Sequence, residues 1–177
     1  MRTIDRETSA LLVVDFQARL MPVIDGGAAA VANARRLLAA AAMLGVPVLF
    51  TEQNAGGLGG TVAELEVSAH GTVLHKMTFD ACRADNAAAM PDRPAIVVAG
   101  CEAHVCVLQT VLGLLDAGRR AYVVQDAIGS RQPGSKAAAI RRMAQHGAEI
   151  VTTEMVVFEW LATAEHPRFR EVVALIK

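Results

Sequence analysis

The chain has 177 residues, with 17 Lys and Arg against 18 Asp and Glu for a formal net charge of −1. It carries no basic cluster and only 4% aromatic residues, too few for base-stacking platforms, so nucleic acid is not an expected partner. Hydrophobic residues reach 53% and the mean hydropathy is +0.35, but the longest apolar stretch, Leu37 to Phe50, is broken by Gly45 and Pro47 and is too short to cross a bilayer.

In chain order, Ala10-Leu11-Leu12-Val13-Val14-Asp15 reads as a first strand. Ala28 to Leu44 is an alanine-rich helix stopped by Gly45, with Pro47 just beyond. Val46 to Thr51 is a second strand, its proline near the first residue where the missing N–H is tolerated. Asn54 to Gly60 is a glycine-rich loop. Thr72 to Lys76 and Ala95 to Ala99 are the third and fourth strands, and the apolar spacing of Val107 to Leu115 predicts a helix. Ala121 to Asp126 is the fifth strand, followed by a helix over Ser135 to His146 and a short sixth strand over Glu149 to Thr153. Small helices over Val156 to Ala164 and Pro167 to Ile176 close the chain. Near-continuous apolar strands separated by helices predict an α/β fold with a mainly parallel sheet covered on both faces. No repeat, linker or low-complexity segment divides it, so residues 1–177 are expected to form one domain. The charged start, Met1 to Thr8, does not read as a signal peptide. Three cysteines without C-x-x-C spacing fit a reducing cytoplasm.

In such sheets ligands bind beyond the carboxyl ends of the strands. Asp15, Lys76 and Cys106 all fall there. Cys106 follows the fourth strand in Gly100-Cys101-Glu102-Ala103-His104-Val105-Cys106. That position is expected to be the first turn of a helix, where free amides and the helix dipole ease thiol ionisation. The three residues supply a nucleophile, a proton acceptor and a cation. The Cys106 amide, with one from the Cys101-Glu102 turn, would face a developing oxyanion. Phe16, Gln17, Gln53, Phe79 and His104 are the expected pocket lining. Plainer roles stand beside these. Cys106 would be a small buried hydrophobe, Asp15 a turn cap, and Lys76 an exposed strand end. Asp126 has the stronger claim to a capping role, holding the loop to Arg131. Cys82 and Cys101 read as core or pocket wall, and Trp160 as packing, within the fold or across a subunit interface. His104 lies two residues from Cys106, a spacing that seldom lets two side chains touch.

Val13-Val14-Asp15-Phe16-Gln17, the run from His75 to Cys82, the run from Gly100 to Thr110, and Asp126-Ala127-Ile128-Gly129-Ser130-Arg131 carry a family likeness. Over nearly its whole length the chain resembles the isochorismatase-like cysteine hydrolase superfamily, which includes nicotinamidases and carbamoylsarcosine amidases. Thr51-Glu52-Gln53 and Phe158-Glu159-Trp160-Leu161 are similar to its branch of isochorismatase domain-containing proteins. The resemblance implies a three-layer α/β/α domain with a six-stranded, mainly parallel sheet of Rossmann-like topology. It implies Asp15 as general base, Lys76 as the cation that tunes it, and Cys106 as nucleophile. The Glu102 and Cys106 amides would hold the oxyanion, and Cys101–Glu102 would be a non-proline cis peptide. No cofactor is implied.

Two departures shape the expected activity. Nicotinamidases carry a metal-binding Asp/His cluster after the second strand; here Gln53 to Gly60 holds no histidine, and no metal is expected. Isochorismatases proper, which cleave a vinyl ether, lack the cysteine. The expected activity is therefore hydrolysis of a small amide through a thioester. The alternatives are hydrolysis of a non-amide bond, such as the vinyl ether of isochorismate, and a non-catalytic binding or scaffold role. The apolar content, Phe158, Trp160 and Phe169 near the C-terminus, and the family's assemblies imply a homo-oligomer, dimer or larger.

Overall fold

Side-chain alternation along the strands sets the architecture. In β1 (Ser9–Val14), Leu11 and Val13 face one core while Ala10, Leu12 and Val14 face the other, as a period of two requires. The structure is a computed structural model and describes residues 3–177. β1 is joined by β2 (Val48–Gln53), β3 (Thr72–Lys76), β4 (Ala95–Cys101), β5 (Arg120–Gly129) and β6 (Glu149–Val151) in one sheet. All pairs are parallel and the order is β3-β2-β1-β4-β5-β6. Successive strands are added in opposite directions on either side of the β1/β4 pair, the point where Rossmann-type sheets open a crevice at their carboxyl edge.

The helices, in chain order, are α1 (Gly27–Leu44), α2 (Ala55–Leu58), α3 (Val67–His70), α4 (Ala84–Ala87), α5 (Leu108–Asp116), α6 (Pro133–Gln145), α7 (Thr153–Leu161) and α8 (Phe169–Val173). α1, α7 and α8 cover one face of the sheet through Leu37, Leu38, Val156, Trp160 and Val172. α5 and α6 cover the other through Val111, Leu114, Ala139 and Met143. The expected three-layer α/β/α arrangement is therefore present, with every strand pair parallel. No helix among the described residues is long and apolar enough to cross a membrane.

Several boundaries differ from the sequence reading, each for a local reason. β5 runs on past Asp126 to Gly129 because its register with β4 shifts between Val98 and Gly100 and pairing resumes beyond the irregularity. The sixth strand stops at Val151 and the helix after it starts early, because the Thr152 hydroxyl accepts the Met155 N–H at 3.3 Å and caps α7. The last helix shortens to five residues. Cys106 is not in the first turn of α5: Ala103–Val107 forms a separate, wider π-helical turn before Leu108.

Gly100 is required by the sheet itself. Its φ is +148°, and a Cβ there would lie 2.3 Å from the Val14 carbonyl oxygen, so the β1/β4 contact at the crevice admits no side chain. Trp160 packs inside the fold and not at an interface: it is fully buried and its Nε1 donates to Ser9 Oγ at 3.0 Å. Phe169 also packs on that core. Of the three aromatic residues expected at an interface, only Phe158 stays exposed, with Met155 beside it on α7.

Candidate active site

Strand register brings the polar residues together. Val14 sits opposite Thr51, and Gln53 opposite Lys76, so a lysine on edge strand β3 reaches over β2 to the end of β1. Lys76 Nζ lies 2.7 Å from Asp15 Oδ2, and neither side chain is more than 1% exposed. The ammonium also donates to Gln53 Oε1 at 3.3 Å and to the Phe79 carbonyl at 3.4 Å. Its three hydrogens thus meet three acceptors. The other Asp15 oxygen, Oδ1, accepts the Thr51 hydroxyl at 2.6 Å. Asp15 itself has φ +50°, an unusual backbone state for a non-glycine residue that costs about 1–2 kcal/mol. Burial, an ion pair and a side-chain hydrogen bond hold it there.

Cys106 completes the group. Its Sγ lies 3.7 Å from Gln53 Oε1, the same oxygen that accepts from Lys76 Nζ. Burial pushes its thiol from an ordinary 9.0 up to about 12, with the Asp15 carboxylate adding to the rise and the Lys76 ammonium opposing it. The expected ease of ionisation is therefore reversed. A helix dipole eases ionisation at an open helix start, whereas Cys106 is buried in a π turn where the Asp15 charge acts on it. Cys101 and Cys82 are also pushed to about 12, chiefly by burial. All three cysteines are free, and Cys101 packs in the α1-side core while Cys106 packs in the α5-side core.

The Cys101–Glu102 peptide is cis. The Glu102 side chain turns to the loop after β5, where its Oε1 accepts from Arg131 N at 3.1 Å and Arg131 Nε at 3.0 Å. Partial burial works against its charge, but these hydrogen bonds and the Arg131 and His104 charges outweigh it and hold the carboxyl below its usual range. The Val105 and Val107 amides both donate to the Glu102 carbonyl, on either side of Cys106.

The other expected site residues fall in different places. Gln53 is at the centre. Gln17 is fully buried and spent on backbone: its Oε1 accepts the Gln53 N–H at 2.9 Å, and its Nε2 donates to the Gln53 and Gly59 carbonyls at 3.0 and 2.6 Å. It clamps the glycine-rich loop and is not pocket lining. Phe16 is 1% exposed and packs in the α1-side core, because the left-handed turn at Asp15 sends the next side chain to the opposite face. Phe79 reaches the site through its carbonyl, while its ring is half-exposed. His104 Nδ1 pairs with Ser130 Oγ at 3.0 Å. Asp126 is a cap, but of α7: its Oδ1 accepts the Thr153 amide at 2.9 Å and hydroxyl at 3.1 Å.

Three contributors had no role assigned from sequence: Thr51, Thr110 and Ser130. Thr51 and Gln53 are two apart on β2 and so share a face, a signal the alternation rule contains. Thr110 Oγ1 accepts the Ala81 amide at 3.0 Å and donates to the Phe79 carbonyl at 3.5 Å, holding the lysine loop; nothing in its local sequence marks it. A cleft of about 550 Å³ lined by Met21, Pro22, Val31, Arg35, Val62 and Glu64 contains none of these site residues. Among the described residues, no group of three or more His, Cys, Asp or Glu side chains could hold a metal ion.

Comparison with known proteins is consistent with this geometry. Residues 9–155 match the isochorismatase domain model. Isochorismatase domain-containing protein 2 of Macaca fascicularis is 38% identical over 173 residues, covering 96% of this chain and 83% of that protein. Isochorismatase domain-containing protein 1 of Danio rerio is 35% identical over 96% of this chain, which spans 61% of that protein's length. The solved MAR1 ribonuclease of Caenorhabditis elegans superposes with a TM-score of 0.93 at 34% identity, covering 98% of this chain and 92% of the other. This chain belongs to the isochorismatase family.

Proposed function

We propose that this protein is a hydrolase that cleaves the C–N bond of a small amide through a thioester on Cys106. The observation that carries the reading is the buried Asp15–Lys76 pair, 2.7 Å apart, joined to the Cys106 thiol through Gln53 Oε1. A thiol at about 12 holds only about one thiolate in 100,000 at pH 7, so proton removal is coupled to attack. Asp15 takes the Sγ proton as Sγ bonds to the carbonyl carbon. The amides of Glu102 and Cys106 receive the oxyanion; losing one such donor typically costs about 100- to 1,000-fold in rate. Asp15 returns the proton to the departing amine. Asp15 then takes a proton from water, the hydroxide attacks the thioester, and the acid leaves as the proton returns to Sγ. Lys76 stays an ammonium throughout and stabilises the carboxylate. Neither a cofactor nor a metal enters the scheme.

The test is a substrate panel of primary amides, isochorismate and short RNA. Cys106→Ala is expected to abolish turnover of the amide that reacts, and full activity in that variant overturns the proposal. RNA is the second substrate class because a 34%-identical relative is a ribonuclease; the net charge of −1 and the 4% aromatic content speak for the amide. A chain that turns over nothing on the panel fits the non-catalytic alternative.

The exposed Met155 and Phe158 on α7, 44% and 42% accessible, support a homo-oligomer. Light scattering at micromolar concentration is expected to give at least a dimer. We assign the working compartment to the cytoplasm because the three thiols are free.

A further inference from the structure

We propose that Gln53 is a positioning residue that aims the Cys106 thiol and the Lys76 ammonium through a single carboxamide oxygen. The proposal rests on Cys106 being the nucleophile. Gln53 Oε1 accepts from Lys76 Nζ at 3.3 Å and from Cys106 Sγ at 3.7 Å, filling both lone pairs of one carbonyl oxygen. The opposite end of the amide, Nε2, donates to the Met77 carbonyl at 2.8 Å. This contact settles which way the amide points. Flipping it would set an NH₂ against an ammonium and an oxygen against a carbonyl.

The backbone of Gln53 is equally constrained. Buried Gln17 accepts from its N–H and donates to its carbonyl, and Lys76 sits opposite it in the β2/β3 register. A residue that only fills space needs none of these bonds. The chemistry also accounts for Gln over Glu here. Asp15 and Lys76 already neutralise each other, and a second carboxylate would be an unpaired buried charge beside the sulfur. A neutral acceptor holds the thiol next to its base and opposes thiolate formation less than a second carboxylate would.

The experiment measures iodoacetamide alkylation of Cys106 against pH by peptide mass spectrometry, in the wild type, Gln53→Met and Gln53→Glu. The titratable groups whose charges act on the sulfur are Asp15, just past the end of β1, and Lys76 from β3. In Gln53→Met the thiol loses its acceptor and Lys76 is released to pair with the thiolate. Its alkylation is expected to be about three- to tenfold faster at neutral pH, the worth of one hydrogen bond. In Gln53→Glu the added charge is expected to slow alkylation by at least as much and to move the profile to higher pH. Shifts of opposite sign support the proposal, since a merely structural role gives the same sign for both. Profiles that superimpose on the wild type, or that move together, overturn it. Where Gln53→Met does not fold, as judged by its melting transition, the Gln53→Glu profile decides alone: slower supports, unchanged overturns. Turnover by Cys106→Ala is scored separately, so failure of the nucleophile assignment is distinguishable from failure of the role of Gln53.

Discussion

Lys76 Nζ and Asp15 Oδ2 meet 2.7 Å apart although 61 residues separate them in sequence, and neither side chain touches bulk water. Removing one member of such a pair leaves an uncompensated buried charge, which costs about 3–5 kcal/mol. Lys76→Met and Asp15→Asn are each expected to lower the unfolding free energy by that order. The double variant is expected to be more stable than the sum of the two losses, as read by chemical denaturation. Strict additivity would show that the two groups are not coupled.

Thr51 donates to the Asp15 oxygen that Lys76 does not hold. Thr51→Val leaves that oxygen free to rotate away from the thiol. The expected result is a fall in kcat of about tenfold with little change in KM, the worth of a hydrogen bond to a charged group. Thr51→Ser is expected to restore the rate, whereas loss in both variants would indicate packing alone.

The thiols set the alkaline behaviour. Cys82, Cys101 and Cys106 are all held near 12 in the fold against an ordinary 9.0. A raised thiol value means the folded chain binds more protons than the unfolded one between those limits. The stabilisation is complete below about pH 9 and is lost as pH climbs toward 12. Melting temperature is expected to fall above about pH 9. Alkylation of Cys106 is expected to keep climbing through that range, and a plateau below pH 9 would contradict the burial argument.

Glu102 governs the acid side in the opposite sense. Its carboxyl lies below the ordinary 4.5 because Arg131 bonds outweigh its partial burial. Its contribution is present above that value and disappears as pH falls through the lower folded one. Glu102→Gln is therefore expected to flatten the acid limb of the melting curve below about pH 4.5, while the neutral value changes little. An unchanged acid limb would show that the Arg131 contact carries no linkage.

Gly100→Ala tests the crevice backbone. A methyl group would sit 2.3 Å from the Val14 carbonyl oxygen at a φ of +148°. The variant is expected to lose at least about 3 kcal/mol and to appear largely in the insoluble fraction. A soluble variant with a wild-type melting temperature would show that β1 and β4 can separate there.

The sequence reading went furthest where the physics is local. Strand alternation, the Gly45 stop after α1 and the apolar runs located the six strands within a few residues, because period and capping are written in neighbours. It also named Asp15, Lys76 and Cys106 as strand-end residues. It went astray at Phe16 and Gln17: one left-handed residue at Asp15 redirects both, and a φ of +50° at an aspartate has no signature in composition. It left open whether Trp160 packs within the fold or at an interface, because its partner Ser9 lies 151 residues away.

What the amino-acid order determined by itself is the α/β layering, the parallel sheet and the arrival of reactive groups at its carboxyl edge. Tertiary structure alone decided how readily the thiol at that edge ionises. The thiol's rise depends on how deeply Cys106 is buried and on its distance from Asp15, and the orientation of Gln53 depends on carbonyls contributed by other strands and loops. Solvation and Coulomb energy are set by separation in space, which no short-range pattern in the chain encodes.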